Sequence, residues 1–554
     1  MVSPTTAHDA PAPASGSADG LGSRRELYLL LAFLTVVYIA VVRIAIRRFV
    51  WSDELFTFDI ARSVSLHQLW ERAVRFDNNP PAGYLLSRLS MAVFGATPFG
   101  LRLPSLVEFY LGCVAIVLYV RRWTGTGLAG LAVILLWSGF DIYYATEARA
   151  YALVFMCFAW LLLSWDSATR SGHRRLAIGG VALSAAGLLC AHVLALFSFL
   201  PFLVAEGVRS WRHRKVDYAL WAALVLPLAV TLQYLPVVLR HTVMIYPPDP
   251  VSTGAEVLSF FTDTFRYAGP GVFLAALVIM VFPEAKKNVG ERRIRAEDWA
   301  LLALILLSPI LLRSLILIRP MQIYNRYSLA TDVTLCAAFA ILLGRRLKPS
   351  RLAGWVAMVA VLLTALAAHR GSHLLAQNHS LPLRWDTFRT DIPLVDADGL
   401  TFYEMNHHES PKLLSRLYYL MDPVASLKYE KTNFFQGFES PDEMQKAGFP
   451  LPAHVEAYSL FVLQHPQFLV DGTMRDWLLS LLRDSGATIE LIGDGGSFNP
   501  YPRDLHLYLV TMPKIQSRQL ISASPGKYVA SVIPLSGETW YISIDGQYRG
   551  GPSF

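Results

Sequence analysis

The chain has 554 residues, of which 54% are hydrophobic and only 16% are charged, and its formal net charge is +7. Soluble proteins carry about 25% charged residues, so this composition excludes an ordinary soluble globular protein and favours a membrane protein. The four cysteines all lie in apolar runs without paired spacing, which gives no support to a structural zinc site.

The chain divides by composition into a short tail, a membrane module and a C-terminal domain. Residues 1–22 are rich in Ala, Ser, Pro and Gly and predict a disordered cytoplasmic tail. Apolar runs long enough for helices recur in the module 23–370 and then stop. We count about eleven predicted transmembrane helices: 27–46, 104–120, 128–144, 150–165, 176–190, 192–206, 217–239, 270–283, 299–318, 328–344 and 353–369.

The stretch 176–206 is ambiguous, because it could form one long span or two short ones. We assume two spans with a break near His192 and place the N-terminus inside the cell. Most Lys and Arg residues then lie in segments on the inner side of the membrane. This is the asymmetry of the positive-inside rule. The short outer loops then hold only five arginines: Arg149, Arg240, Arg266, Arg319 and Arg326. The sequence therefore predicts a multi-pass protein of the cell (inner or plasma) membrane.

With this orientation, the long loop 47–103 and all residues after 369 face away from the cytoplasm. The loop contains two amphipathic stretches, 54–70 and 82–94, which predict helices lying in the membrane interface.

The region 371–554 has the composition of a soluble domain with alternating strands and helices. This alternation predicts an extracytoplasmic α/β domain. We predict strands at 399–405, 467–472, 488–494 and 504–512, helices at 410–421 and 474–486, and a β-rich tail at 515–554.

Ionisable groups collect on the predicted outer face of the membrane module, where such groups are costly and often functional. Asp53 and Glu54 directly follow the first span. Further polar segments follow in chain order: "FDNNPPAGYLL" (76–86), "LRLPSL" (101–106), "YYATEARAYAL" (143–153), His192 and "RPMQIYNRYSLA" (319–330). These segments are the candidate site.

The order and spacing of these motifs resemble those of the protein O-mannosyltransferase-like glycosyltransferases. This family belongs to the GT-C class, which includes the enzyme that adds aminoarabinose to lipid A. The resemblance rests on the acidic pair, the Asn-Pro-Pro element, "LRLPS" and "EARAY". It covers residues 50–155 closely and extends loosely to about residue 370.

The resemblance implies an integral membrane glycosyltransferase whose donor is a sugar linked to a polyprenyl phosphate. Transfer would invert the anomeric centre, and the acceptor would be an extracytoplasmic glycan, lipid or protein; no nucleic acid is implied. Asp53 would be the general base that removes the acceptor's proton. Glu54 would be a second catalytic residue, or would instead hold the acceptor or the local structure.

The leaving group in such a reaction is a lipid phosphate, so the site needs cations. Arginine binds phosphate oxygens with its planar fork, which makes Arg149, Arg319 and Arg326, together with Tyr327, the candidate phosphate-binding residues. The alternatives are that Arg149 only pairs with Glu147, and that Arg319 contacts lipid headgroups.

A supporting set surrounds these candidates. Tyr151 and Tyr327 would orient the arginines or pack at the interface. His192 is either a satisfied polar residue at a helix break or, as in related enzymes, a neighbour of the site. The complete supporting set is Asn79, Arg102, Glu147, Tyr151 and His192.

The sequence departs from the pattern of this family at the residues before Pro80. Asn78 and Asn79 stand where aminoarabinose transferases carry an acidic residue and a lysine. Neither amide supplies positive charge, which argues against aminoarabinose as the sugar and puts a metal site there in doubt. The need for a divalent metal, Mg or Mn, stays open.

Two other classes of protein compete with this interpretation. A lipid or sugar transporter or flippase often has internal repeats and charges near the membrane centre, but we see no duplication and the charges lie on one face. A non-catalytic envelope-assembly protein would fit the missing cation before Pro80, whereas the intact Asp53 argues against it.

Overall fold

We used a computed structural model of the chain. The structure describes residues 18–77, 79–139, 142–170, 174–234, 261, 269–281, 293–318, 325–347, 349–371, 389–431, 434–436, 440–494, 505–513, 528–532 and 539–543.

The described part of the membrane module is helical. Its helices are α1 (Ala18–Ala45), α2 (Ser52–Ala61), α3 (Leu66–Arg72), α4 (Ala82–Phe94), α5 (Pro98–Arg121), α6 (Thr126–Ser138), α7 (Ile142–Ala145), α8 (Tyr151–Arg170), α9 (Arg174–Ala191), α10 (Leu196–His213), α11 (Tyr218–Val225), α12 (Gly269–Val281), α13 (Ala296–Ile318), α14 (Leu329–Leu347) and α15 (Arg351–Gly371).

Six helical segments among the described residues are long and apolar enough to span a membrane: Arg24–Arg43, Pro98–Arg121, Tyr151–Arg170, Arg174–Ala191, Val193–His213 and Arg326–Leu347. Each coincides with one of the predicted spans. The other predicted runs coincide with shorter apolar helices or with α13.

The structure resolves the ambiguity at 176–206 in favour of two helices. The backbone of His192 is extended, with φ −154° and ψ 141°, and its side chain accepts a hydrogen bond from the Leu194 N–H. A 3₁₀ turn, Val193–Ala195, then leads into α10. The predicted break near His192 is therefore confirmed.

The core of the module lies around α5, α6 and α8. Helix α8 packs against α5 and α9, and α6 packs against α15. Every residue of α6 is buried, which is the pattern of a central helix surrounded by others. The third predicted span, 128–144, is wrong at its end, because α6 stops at Ser138 and the short α7 follows separately.

The C-terminal region is built on a six-stranded sheet of order β3-β2-β1-β4-β6-β5, in which the first four strands are parallel and β6 is antiparallel to both neighbours. Helices cover both faces, because alternate residues such as Leu394 and Val395 enter different apolar clusters. The strands are β1 (Leu394–Asp396), β2 (Leu417–Met421), β3 (His454–Ala457), β4 (Gln467–Gly472), β5 (Thr488–Asp494) and β6 (His506–Thr511). The helices are α16 (Gly399–His408), α17 (Pro411–Leu414), α18 (Pro423–Tyr429), α19 (Pro441–Lys446), α20 (Tyr458–Gln464) and α21 (Trp477–Asp484).

The predicted strands at 467–472, 488–494 and 504–512 and the helix at 474–486 are confirmed, but two other predictions are wrong. The segment 399–405 lies in helix α16, where Asp398 caps the first turn by accepting from the Leu400 N–H. The segment 410–421 is divided between the one-turn helix α17 and the central strand β2. Both segments are buried on several sides. Their sequences therefore lack the one-sided hydrophobic periodicity that distinguishes a helix from a strand.

The two ends of the chain also differ from the prediction or lie outside the described residues. The predicted disordered tail is too long, because α1 begins at Ala18; residues 1–17 lie outside the described part. Strands β7 (Tyr528–Val532) and β8 (Thr539–Ser543) pair antiparallel within the predicted β-rich tail.

Candidate active site

The two adjacent carboxylates lie in the first turn of α2, and the helix separates them. Consecutive helical residues point about 100° apart, so the side chains of Asp53 and Glu54 face different surroundings. The Glu54 side chain is completely buried, whereas the Asp53 side chain is 18% exposed. Only Asp53 is therefore accessible to a ligand.

Glu54 belongs to a closed ion-pair network. Arg102, on α5, donates from Nε to Oε1 at 2.6 Å and from Nη2 to Oε2 at 2.5 Å. The Ala148 N–H donates to Oε1 at 2.9 Å, and Arg48 Nη2 lies 3.5 Å from Oε2. Burial by itself would raise the pKa of Glu54, but Arg102 and Arg48 hold it below its usual value. This geometry favours the structural alternative for Glu54, because its carboxylate is charged, saturated and enclosed.

Asp53 lies between two arginines from distant parts of the chain. Arg326 Nη1 is 3.2 Å from Asp53 Oδ2, and Arg149 Nε is 3.9 Å from the same oxygen. Arg149 also donates to the Asp53 backbone carbonyl at 3.1 Å. The structure therefore brings together residues that are far apart in the sequence: Arg149 is 96 positions from Asp53, and Arg326 is 273 positions from it.

The principal partner of Arg149 is Asp77, which the sequence analysis did not select. The guanidinium makes a two-pronged contact with this carboxylate, in which Nη2 lies 2.7 Å from Oδ1 and Nη1 donates to Oδ2. Tyr84 donates to Asp77 Oδ2 at 2.6 Å, and Asn79 donates to the Asp77 carbonyl at 2.9 Å. Arg149 thus does not pair with Glu147. The sequence could have indicated Asp77 as a site residue, because it is an acidic residue immediately before the Asn-Asn-Pro-Pro element.

Aromatic rings surround the second arginine. The Arg326 guanidinium carbon lies 5.3 Å from the ring centre of Tyr151 and 5.8 Å from that of Tyr327. The His192 ring lies 5.7 Å from Tyr151 and 5.2 Å from Tyr327. Both tyrosine rings therefore lie where an aromatic face attracts a guanidinium. His192 Nδ1 accepts from Leu194, so a neutral ring carries its proton on Nε2.

Glu147 is a buried carboxyl group beside these charges. It is 1% exposed, and neither side-chain oxygen has a hydrogen-bond partner among the described residues. Burial, with the nearby carboxylates of Asp53 and Glu54, raises the pKa of Glu147 to about 8, although Arg326 and Arg149 oppose the rise. Its side chain is therefore mainly protonated at neutral pH.

A small pocket adjoins Arg149 between α2, α4 and α5. Its polar lining includes Asn79, Tyr84, Ser105, Glu108 and Arg149.

The described residues do not fit a divalent cation. Mg²⁺ binds through several oxygen ligands, but Asp53, Glu54 and Asp77 each face guanidinium groups. Within the described ranges, no group of three or more His, Cys, Asp or Glu side chains has a metal-binding arrangement. Among the described residues, the positive charge beside these carboxylates comes from arginine.

Two predicted residues cannot be placed. Arg319, a candidate phosphate-binding residue, and Asn78 lie outside the described residues.

Residues 78–234 match the family model of the dolichyl-phosphate-mannose-protein mannosyltransferases. The match includes Arg149 and His192, but it begins after Asp53 and Asp77 and ends before Arg326.

Similar structures include ArnT from Cupriavidus metallidurans bound to undecaprenyl phosphate, with 13% identity, a TM-score of 0.46 and coverage of 91% of this chain and 100% of that one. The apo form of the same protein has 15% identity, a TM-score of 0.45 and coverages of 89% and 98%. The Archaeoglobus fulgidus oligosaccharyltransferase, in complex with Zn and sulfate, has 10% identity, a TM-score of 0.38 and coverages of 81% and 68%. These scores are too low to carry a site or a mechanism over. The family-model match confirms, for residues 78–234, the predicted resemblance of this chain to the protein O-mannosyltransferase-like glycosyltransferases.

Proposed function

We propose that this protein is a membrane glycosyltransferase that moves a sugar from a polyprenyl-phosphate donor to an acceptor hydroxyl outside the cytoplasm. The proposal rests on one observation: the accessible carboxylate of Asp53 lies beside the guanidinium groups of Arg149 and Arg326. A base and phosphate-binding cations are the two requirements of transfer from a lipid phosphate.

In the proposed reaction the acceptor oxygen attacks the anomeric carbon from the side opposite the phosphate. The Asp53 carboxylate takes the proton of the acceptor hydroxyl, and the bond between the anomeric carbon and the phosphate oxygen breaks. The polyprenyl phosphate leaves with the bonding electrons. A single displacement of this kind inverts the anomeric centre.

Arg149 and Arg326 would bind the donor phosphate and offset the charge that grows on it as the bond breaks. Their present partners support this role. Asp77 and Asp53 keep the guanidinium groups in place, and the Tyr151 and Tyr327 rings restrict where Arg326 can move. Preorganised cations stabilise developing charge without a reorganisation cost.

The first test is transfer of radiolabelled sugars from a panel of polyprenyl phosphates to crude envelope acceptors by the purified protein in lipid. Asp53→Asn is expected to lower transfer about 100-fold or more, because the amide cannot accept the proton. Asp391→Asn, at a carboxylate that is 66% exposed in the C-terminal region, serves as the matched control.

Undiminished transfer by Asp53→Asn would show that Asp53 is not the base. Absence of transfer from every donor by the wild-type protein would instead favour the transporter or the envelope-assembly alternative.

A further inference from the structure

The helix that carries Asp53 is capped by a residue of the C-terminal region. The first N–H groups of a helix have no partner within it, and Trp51, the N-cap residue of α2, makes no side-chain cap hydrogen bond. Glu404 supplies the missing acceptor, because its Oε1 accepts from the Ser52 N–H at 2.8 Å. The two residues are 352 positions apart in the sequence.

Glu404 is itself held firmly. It is fully buried in α16, whose Phe402 and Met405 pack in the apolar cluster of the sheet. One turn further along, His408 Nε2 donates to the Val50 carbonyl at 2.5 Å. Helix α16 therefore binds the backbone on both sides of Trp51.

Asp53 consequently lies between two anchored neighbours. Ser52 is fixed from the C-terminal region by Glu404, and Glu54 is fixed from the membrane module by Arg102. The direction of the Asp53 side chain follows from the path of this one helical turn. Small displacements of a reacting group cost large factors in rate.

We propose that Glu404 is a positioning residue for transfer, which acts by capping the helical turn that bears Asp53. The C-terminal region then completes the active site. This inference rests on the proposed function, in which Asp53 is the base.

The test compares Glu404→Ala, Glu404→Gln and Glu443→Gln in the full-length protein in lipid. Glutamine keeps an oxygen that accepts from Ser52. Glu443 pairs with Arg75 at the same junction. Among the described residues its hydrogen bonds and ion pairs involve no residue of α2, so it controls for general loosening of the contact between the two parts. Two quantities are expected to respond: hydrogen exchange of the backbone amides in residues 50–58, and kcat for transfer. The KM for the lipid donor is measured beside them.

Glu404→Ala is expected to speed amide exchange at the start of α2 roughly fivefold. It should also lower kcat on the order of 10- to 100-fold, with a KM within about twofold of wild type. Glu404→Gln is expected to restore both quantities, and Glu443→Gln to leave both near wild type.

Unchanged exchange and kcat in Glu404→Ala would overturn the inference. Failure of Glu404→Gln to restore them, or an equal loss in Glu443→Gln, would overturn it too, since charge or general docking would then be the cause. If Asp53→Asn retained transfer, the proposed function would fail, whereas the exchange measurement would still report the cap.

Discussion

At the residue scale, the site shows how adjacent carboxylates take different roles. Glu54 is enclosed and ion-paired, whereas Asp53 is partly open and lies beside Arg149 and Arg326. A third carboxyl group, on Glu147, is buried without a hydrogen-bond partner among the described residues. Three acidic residues within one neighbourhood therefore differ in exposure and in partners.

The protonation of Glu147 leads to a prediction about stability. Its pKa is about 8 in the folded chain, against 4.5 for the ordinary side chain. Between these values the folded chain binds a proton that the unfolded chain has lost, so the free energy of unfolding falls as pH rises through this window. Glu147→Gln removes the ionisable group and keeps its shape. The Tm of Glu147→Gln is therefore expected to rise relative to wild type between pH 5 and about pH 8.5.

The measurement is thermal unfolding of both proteins in detergent across that range. Glu490→Gln, at an exposed side chain of β5, serves as the control for a general effect of this substitution. A pH-independent difference for Glu147→Gln would contradict the prediction.

At the element scale, the crossing of α6 and α15 depends on glycine. A Cβ atom on Gly127 would lie 2.7 Å from the backbone of Gly354 and Trp355, closer than such contacts allow. Small residues permit close helix crossings in membrane proteins, where packing contributes strongly to helix association. Because α6 is fully buried, this crossing is part of the core of the helical module.

Gly127→Ala is therefore expected to destabilise the protein by about 1–3 kcal/mol, because two backbones must separate to admit one methyl group. Gly179→Ala is the matched control in α9, since a Cβ there meets nothing within 4 Å. The measurement is Tm in the same detergent. If Tm fell equally in both variants, the close crossing of α6 and α15 would not be the cause of the destabilisation.

At the scale of the whole molecule, the C-terminal region and the first loop share an apolar cluster. Phe449 lies 5.0 Å from Phe76 and 6.4 Å from Tyr403 between ring centres, and Arg72 lies over the Phe449 ring. Tyr403 also donates to Asp59, in α2. The two parts are therefore joined by buried apolar and polar contacts next to the turn that bears Asp53.

Phe449→Ala is expected to weaken this junction by about 3–5 kcal/mol, through lost burial and a residual cavity. Trypsin cleavage after Arg75, at the surface that the C-terminal region covers, should become faster when measured by mass spectrometry. Leu463→Ala, at a side chain that is 47% exposed, should leave cleavage unchanged. Equal cleavage of the two variants would argue against Phe449 as an anchor.

The sequence by itself determined the helical membrane module and the break at His192, and it singled out Arg149 and Arg326 as candidates. These features depend on local composition: apolar runs form spans, and isolated cations on one face are conspicuous where charge is scarce. Several strands and one helix of the C-terminal region were predictable from local periodicity for the same reason.

Only the tertiary structure decided which charges meet. The pairing of Asp77 with Arg149, the enclosure of Glu54 by Arg102 and the cap that Glu404 provides all join residues far apart in sequence. The helical state of 399–405 was likewise decided by burial between the sheet and α2, which removes the one-sided pattern of an exposed helix. A buried charge is stable only where the folded chain provides a counter-charge or hydrogen bonds. The partners of these buried groups therefore depend on the tertiary structure and cannot be identified from the local sequence.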